Sequence, residues 1–331
     1  MDSSLLEVRD VRIYYSSVRG EYKVVDGVSF DVKRNEILGL AGESGCGKST
    51  LVEGILRLIV PPGEIKSGQV ISDHIAQEIT TNCDLLSLTE EQFRQIRWKE
   101  ISYIPQASMS SLNPVMKIEE QITDAIVTHD SVPSQEAKAR VPELLRAVGL
   151  PEQVAKLYPH ELSGGMRQRV AIAGAVALKP KLIIADEPTT ALDVTIQRII
   201  LQTLKRVKEE LGATIIVVTH DMQVHAQLAN RLVIMYAGKV VEIGAIRDLF
   251  YNPLHPYSQG LIATIPSITG ERKRLAGIPG AAPSPLDWPV GCRFHPRCDR
   301  AKEECADREP QLLEVRDGHF VACHLWHGAV I

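Results

Sequence analysis

The sequence predicts an α/β fold with a mainly parallel sheet, joined to an irregular, cysteine-rich C-terminal extension. Three observations carry this. Strand-like apolar runs alternate with helical ones from Ile37 to Ile243, the pattern of a sheet whose crossovers are helices. Gly42-Glu43-Ser44-Gly45-Cys46-Gly47-Lys48-Ser49-Thr50 matches the phosphate-binding loop pattern G-x-x-x-x-G-K-[ST], and it follows the apolar run Ile37–Ala41. Beyond about Phe250 the periodicity stops, and prolines and glycines become frequent from Pro253 to Pro289, Pro266 among them.

Taken in order, Leu5–Tyr15 alternates in part and reads as a strand, Val28–Val32 alternates too, and Ile37–Ala41 is a short buried strand. A helix starts near Lys48 and runs to about Ile59, where Pro61-Pro62-Gly63 stops it. Thr89 and Gln92 form a capping box for a helix to Arg97. Ile101–Ile104 is a short strand leading to Gln106. From about Glu119 to Lys179 the pattern is helical. Val141, Leu144, Leu145 and Val148 mark a helix over Ser134–Val148 with Gly149 as its stop, and Ser163 caps another through about Leu178. Leu182–Ala185 and Thr214–Val218 are buried strands separated by the helix Val194–Leu211, and Leu232–Tyr236 and Lys239–Ile243 flank a turn at Gly238. This divides the chain into a nucleotide-binding domain over 1–250, with a helical subdomain at about 107–179, and an extension over 251–331.

Bulk properties narrow the function. The chain has 331 residues, 44% of them apolar, and a net charge of -4, which gives no support for nucleic-acid binding. Its longest nearly continuous apolar run, Val170–Leu178, falls far short of the roughly 20 residues that span a bilayer. Asp2 and Glu7 around a few leucines do not make a signal peptide. The expectation is a soluble, cytoplasmic chain, and any transport role requires separate chains for the pore. Cys46 and Cys83 stand alone, whereas Cys292, Cys298, Cys305 and Cys323 cluster near the C-terminus. In a cytoplasmic chain such a cluster reads as metal binding before disulfide.

The motifs specify chemistry. Loop glycines let backbone N–H groups curl around phosphate oxygens, and the following helix adds its positive end. Lys48 is placed to reach the β- and γ-phosphates and Ser49 to bind Mg²⁺, with Cys46 a small filler. Leu182–Glu187 sets two carboxylates at the end of a buried strand: Asp186 to hold Mg²⁺, directly or through water, and Glu187 as general base toward water. Ser163-Gly164-Gly165 opens a helix and forms a second anion site. His160, His225 and His255 read as structural or surface residues.

The phosphate loop is followed in fixed order by Tyr103-Ile104-Pro105-Gln106, Leu162-Ser163-Gly164-Gly165-Met166, Leu182–Glu187, Ala191-Leu192-Asp193 and Thr219-His220-Asp221. This series resembles the ATP-binding cassette (ABC) family. The resemblance implies an ABC-type P-loop domain, a RecA-like core with antiparallel β and α-helical subdomains, that hydrolyses ATP. It implies ATP contacts from Gly42, Ser44, Gly45, Cys46, Gly47, Lys48, Ser49 and Thr50. It implies that Gln106 contacts Mg²⁺ and water, that His220 contacts the γ-phosphate, and that Asp193 is a dimer contact. Tyr15 matches the aromatic residue that stacks on adenine, with Tyr14 the alternative and core packing a third reading for either. The signature segment of Ser163, Gly164 and Gly165 faces the nucleotide of a second subunit in that family, so a head-to-tail dimer with two ATP molecules is implied.

Asn252-Pro253-Leu254-His255-Pro256-Tyr257, Gly291-Cys292-Arg293-Phe294-His295-Pro296-Arg297-Cys298 and Ser111-Leu112-Asn113-Pro114-Val115-Met116 resemble the dipeptide/oligopeptide importer ATPases. Five, six and seventeen residues separate the successive C-terminal cysteines, looser than the C-x₂₋₄-C pairs of structural zinc. His295, His319, His324 and His327 stand near enough in sequence to replace a thiolate. The resemblance implies a [4Fe–4S] cluster on Cys292, Cys298, Cys305 and Cys323, in a structural role, with Zn²⁺ or no metal as alternatives. It also implies partners: a related but distinct second ATPase, two permeases that meet the surface near Gln106–Met116, and an extracellular solute-binding protein. The chain then sits peripherally on the cytoplasmic face of the membrane. The expected cargo is peptide, with oligosaccharides or nickel as alternatives. A soluble non-transport ABC ATPase is disfavoured by the single cassette and acidic balance, and a regulatory module acting through the extension is a further reading.

Overall fold

The computed structural model describes residues 4–77, 83–106, 111–265 and 277–326. Asp2, residues 107–110 of the expected helical subdomain, Pro266 and His327 lie outside the described residues. The chain forms two compact units, described in turn. The first holds Met1–Leu6, Val32–Ile37 and Ser72–Val218; the second holds Glu7–Asp31, Leu38–Ile71 and Thr219–Ile331.

Along the chain, β1 (Ser4–Ser17), β2 (Gly20–Lys33) and β3 (Ile37–Ala41) precede α1 (Lys48–Ile55). The first helix is shorter than its sequence suggests. Arg57 adopts a φ of 55°. Leu58 N–H donates to the Glu53 carbonyl at 2.8 Å and Arg57 N–H to Gly54 at 3.0 Å. This paired ending satisfies the last carbonyls and closes the helix before the prolines are reached. β4 (Gly63–Ser72) and the two-residue β5 (Cys83–Asp84) follow. The sequence pattern missed β4 because its residues are mostly exposed or half-buried and only Val70 and Ser72 are buried. Next come α2 (Glu90–Ile96), β6 (Ile101–Ile104), α3 (Ile118–Asp130), α4 (Ser134–Ala147), α5 (Gly164–Val176), β7 (Leu182–Asp186), α6 (Val194–Leu211) and β8 (Thr214–Val218). The chain continues through α7 (Met222–Leu228), β9 (Arg231–Tyr236), β10 (Lys239–Ala245), α8 (Ile246–Tyr251), α9 (Pro256–Ala263), α10 (Glu304–Asp307), β11 (Leu313–Arg316) and β12 (His319–Val321).

In the first unit β6, β7 and β8 lie parallel, with Ile104 opposite Ala185 and Asp186 opposite Val218. Every residue of β7 and β8 is buried, as in a sheet covered on both faces. α6 buries Ile200, Leu201, Thr203, Leu204 and Val207, a single face at helical spacing, and ends on Gly212 at φ 63°. The Thr89 capping box forms as the sequence indicates; replacing Thr89 by Ala would cost about 1 kcal/mol. α3 buries Ile118, Ile122 and Ile126, and α4 buries Ala137, Val141 and Leu145.

In the second unit the strand order is β11-β12-β10-β9-β3, and β3 runs parallel to β9. β12 pairs antiparallel with β10, so the C-terminal region adds strands to this sheet. β1 pairs antiparallel with β4 from Glu7–Ile71 to Tyr15–Gly63. That ladder shifts register around Arg9–Ile13, where Asp10 has a φ of 46°, which explains the partial alternation of β1. Tyr236, Tyr257 and Phe294 pack ring to ring at 4.6 to 5.5 Å between centroids. Among the described residues no helix is long and apolar enough to cross a membrane.

Candidate active site

The phosphate-loop sequence lies in the second unit, after the wholly buried β3. Two of its glycines are dictated by space. A Cβ on Gly42 (φ 148°) would strike the Met235 carbonyl, and one on Gly47 (φ 102°) would lie 2.5 Å from the Val24 carbonyl. Lys48 is buried, and its ammonium donates to the carbonyls of Gly42 at 2.8 Å and Glu43 at 3.0 Å. It also reaches Cys46 Sγ at 3.7 Å. Cys46 is buried inside the loop, and burial pushes its thiol upward, as a space-filling residue requires. α1 starts on Gly47, which supplies no side-chain cap. Its first N–H groups are therefore left without a side-chain cap at the loop end of the helix.

The two tyrosines separate clearly. Tyr15 shares a hydrogen bond with Thr50 and packs on Gly63, beside the loop helix. Tyr14 donates its hydroxyl to Asp26 at 2.6 Å, and burial followed by this bond holds its pKa at about 12. Arg293 and Lys239 also pair with Asp26, so Tyr14 belongs to a closed polar cluster. His220 is exposed, two residues past the end of β8, while Asp221 caps α7 through Gln223 N–H at 2.8 Å. His225 is buried with Nε2 on the Thr219 carbonyl at 3.1 Å, and His255 is buried as the cap of α9, accepting from Tyr257 N–H at 3.0 Å. Both are structural, as expected, and His160 is exposed.

In the first unit, Asp186 ends β7 almost fully buried, and the Tyr103 hydroxyl donates to it at 3.4 Å. Glu187 follows at a φ of 47°, its N–H donating to Val218 at 2.8 Å and its carboxylate accepting from Thr190 Oγ1 at 2.9 Å. A glutamate in this region stores about 1–3 kcal/mol of backbone strain, which the surrounding hydrogen bonds hold in place. Ile104 faces Ala185 in the ladder, and two residues further along each strand stand Gln106 and Glu187. Gln106 is exposed. Ser163 caps α5 by accepting from Met166 N–H at 3.3 Å, and Asp193 caps α6 by accepting from Ile196 N–H at 3.0 Å. Both caps are exposed, while Gly164 beside Ser163 is half-buried and Gly165 buried.

The four C-terminal cysteines lie in the second unit, and each thiol interacts electrostatically with the other three. Burial pushes Cys292 and Cys323 up to about 11, with neighbouring thiols adding to the shift, and Cys298 is raised as well. Backbone N–H groups oppose this: those of Phe294, Arg300 and Leu325 donate to Cys292, Cys298 and Cys323, and Lys302 N–H donates to Cys305 Sγ at 3.4 Å. Gly291 (φ 71°) lets the chain pass the Cys305 carbonyl, which a Cβ would meet at 2.5 Å. Among the described residues, no three His, Cys, Asp or Glu side chains are arranged to hold one metal ion. His295 bonds the Cys292 carbonyl, His319 bonds Glu242 and His324 bonds the Arg308 carbonyl, so these ring nitrogens are engaged elsewhere.

Sequence reasoning overlooked Tyr257, whose hydroxyl accepts from Glu43 N–H in the phosphate loop at 2.8 Å. It also overlooked the β11–β12 hairpin, although Asp317-Gly318 is a hairpin-turn signal.

Known proteins resemble this chain over most of its length. The family model described as "ABC transporter" matches residues 25–190, and "Oligopeptide/dipeptide transporter, C-terminal region" matches residues 241–305. The oligopeptide transport ATP-binding protein AppD of Bacillus subtilis is 44% identical over 98% of this chain and 97% of its own length. The dipeptide transport ATP-binding protein DppD of Caldanaerobacter subterraneus is 43% identical over 98% of both. The solved dimeric cassette MJ0796, in a post-hydrolysis state bound to ADP and Pi, superposes with a TM-score of 0.63 at 30% identity, covering 73% of this chain and 99% of that one. The chain therefore belongs to the ABC transporter ATP-binding proteins, in the group that carries the oligopeptide/dipeptide C-terminal region.

Proposed function

We propose that this chain is the ATP-hydrolysing subunit that powers import of di- and oligopeptides through a membrane transporter. The observation that carries it is likeness to peptide-transport ATP-binding proteins over nearly the whole length, with both the cassette and the C-terminal region matched. Lys48 and the loop N–H groups bind the phosphates, and Tyr15 stacks on adenine, which its bond to Thr50 supports over Tyr14. Ser49, Asp186 and Gln106 would hold Mg²⁺, which when bound would neutralise charge on the phosphates. Glu187 takes a proton from the attacking water as its oxygen bonds the γ-phosphorus; the bond from that phosphorus to the β–γ bridging oxygen breaks, and ADP and phosphate leave. His220 contacts the γ-phosphate. Ser163, Gly164 and Gly165 present α5 to the nucleotide of a partner ATPase, and Asp193 contacts that partner; the exposure of both caps supports this.

The partner is a related, distinct ATPase, and two permeases dock near Gln106–Met116. An extracellular solute-binding protein delivers cargo, and the subunit works peripherally on the cytoplasmic face. The test is ATP hydrolysis by the complex reconstituted with permeases and binding protein, against peptides, oligosaccharides and nickel side by side. Stimulation by peptides alone is expected. Stimulation only by another cargo overturns the peptide assignment, and absence of turnover in the complete complex overturns the ATPase role.

Cys292, Cys298, Cys305 and Cys323 would hold a [4Fe–4S] cluster. The donor chemistry fits: four mutually interacting thiols, each receiving a backbone N–H, as the sulfurs of iron–sulfur sites do. A single zinc needs its sulfurs about 3.8 Å apart, from Zn–S bonds of about 2.3 Å. The spacing of the four cysteines, looser than the C-x₂₋₄-C pairs of structural zinc, supports the cluster over Zn²⁺. When bound, such a group supplies a covalent cross-link between three separate stretches of the extension.

A further inference from the structure

Arg297 leaves the cysteine region and ends on the phosphate loop. It closes the short turn His295–Arg297, one residue before Cys298. Its guanidinium forks onto the Glu43 carboxylate, Nη1 to Oε2 at 2.8 Å and Nη2 to Oε1 at 3.0 Å. Nε donates to the Pro279 carbonyl at 2.8 Å, Nη1 to the Tyr236 hydroxyl at 3.3 Å and Nη2 to the Ile278 carbonyl at 3.4 Å. The Arg297 side chain is 7% exposed and that of Glu43 29% exposed, so this is no solvent-screened surface pair. Two parallel charge-assisted bonds fix direction as well as distance, which a lysine could not do.

Glu43 is thereby held twice from the C-terminal region, its carboxylate by Arg297 and its N–H by the buried Tyr257 hydroxyl. The carbonyl of the same residue accepts from Lys48 Nζ at 3.0 Å and from Cys46 N–H at 3.3 Å. An unbroken set of bonds therefore runs from Arg297, beside Cys298, to the lysine of the phosphate loop.

We infer that Arg297 is a positioning residue for ATP binding: through Glu43 it sets the loop and Lys48, and so couples nucleotide affinity to the order of the cysteine region. The inference rests on the reading of Lys48 as a phosphate contact. Because the loop is set before nucleotide arrives, the effect falls on affinity and leaves the chemical step, which uses other residues, nearly unchanged.

The test measures ATP affinity of the full chain and KM and kcat of the reconstituted complex for Arg297→Gln, Arg297→Lys, Glu43→Gln and the double variant Glu43→Gln/Arg297→Gln. Each Gln variant should raise Kd and KM for ATP roughly tenfold with kcat within about twofold, as expected for losing a charge-assisted pair. Arg297→Lys should recover part of the loss. The double variant should be no worse than either single one, because both remove the same contact. Glu43→Gln changes no residue of the cysteine region, so it decides the matter even if Arg297→Gln fails to fold. Wild-type affinity in Glu43→Gln, or strictly additive losses, overturns the inference. A wild-type chain that binds no ATP would instead sink the reading of the loop itself.

Discussion

Gly165 in the first turn of α5 lies directly against Ile196 in the first turn of α6: a Cβ on Gly165 would run into Ile196 Cγ2 and crowd two further atoms of that side chain. The contact fixes the exposed cap Ser163 relative to the exposed cap Asp193, the two residues offered to a partner ATPase. Gly165→Ala should therefore push one helix start off the other. An ATPase loss of tenfold or more is expected, since misplacement by ~1 Å costs up to ~10². Adding Ile196→Ala should restore much of the rate by making room. Steady-state hydrolysis with thermal melts decides it, and unchanged activity in Gly165→Ala would show that the contact does not set the site.

Glu187→Gln keeps the shape of the side chain and its bond partner Thr190. ATP binding should persist while turnover falls about 10²–10⁴-fold, the usual contribution of a general base. Nucleotide binding and hydrolysis measured on one preparation would separate the two effects, and near-normal hydrolysis removes Glu187 from the role.

His255 predicts acid sensitivity. Burial, opposed by Glu242 and assisted by Arg300, lowers its pKa to about 4. The unfolded chain takes up a proton near pH 6.5 that the folded chain refuses until about pH 4. Stability is fully present above pH 6.5 and is lost as pH falls toward 4, by roughly 3 kcal/mol. His255→Asn retains a good helix cap without the titration. It should start less stable but lose less across that window. Chemical denaturation at a series of pH values would reveal equal slopes if the histidine is not responsible.

Cys298→Ser should remove bound iron and acid-labile sulfide from anaerobically purified protein while ATP affinity falls only as far as Arg297 is displaced. Iron and sulfide assays beside nucleotide titration check it. Unchanged metal content would refute the four-cysteine assignment.

The parallel core was legible because buried strands and amphipathic helices leave strong periodic signals. α6 and β8 begin and end on the residues that the pattern indicates, Val194–Leu211 and Thr214–Val218. β4 was not legible, since an exposed strand with glycines at 63 and 68 offers few apolar residues to alternate. The early end of α1 depends on a left-handed Arg57, a conformation that its residue type does not advertise. Lys48 and Glu187 stand out in the sequence because each lies in a motif that is contiguous along the chain. The grip of Arg297 on Glu43 was not, because its partners stand 254 residues apart.

Glu242 on β10 is fully buried, and its carboxylate accepts from Leu254 N–H at 2.7 Å and His255 N–H at 2.9 Å and bonds His319 Nε2 at 2.7 Å. The histidine is 77 residues further along the chain. On the ribosome, β10 is made long before His319 exists, so until then only the backbone N–H groups of Leu254 and His255 can reach that carboxylate. A chain that stops before residue 319 is therefore expected to be less stable by about 1–3 kcal/mol, as chemical denaturation of truncated and full chains would show.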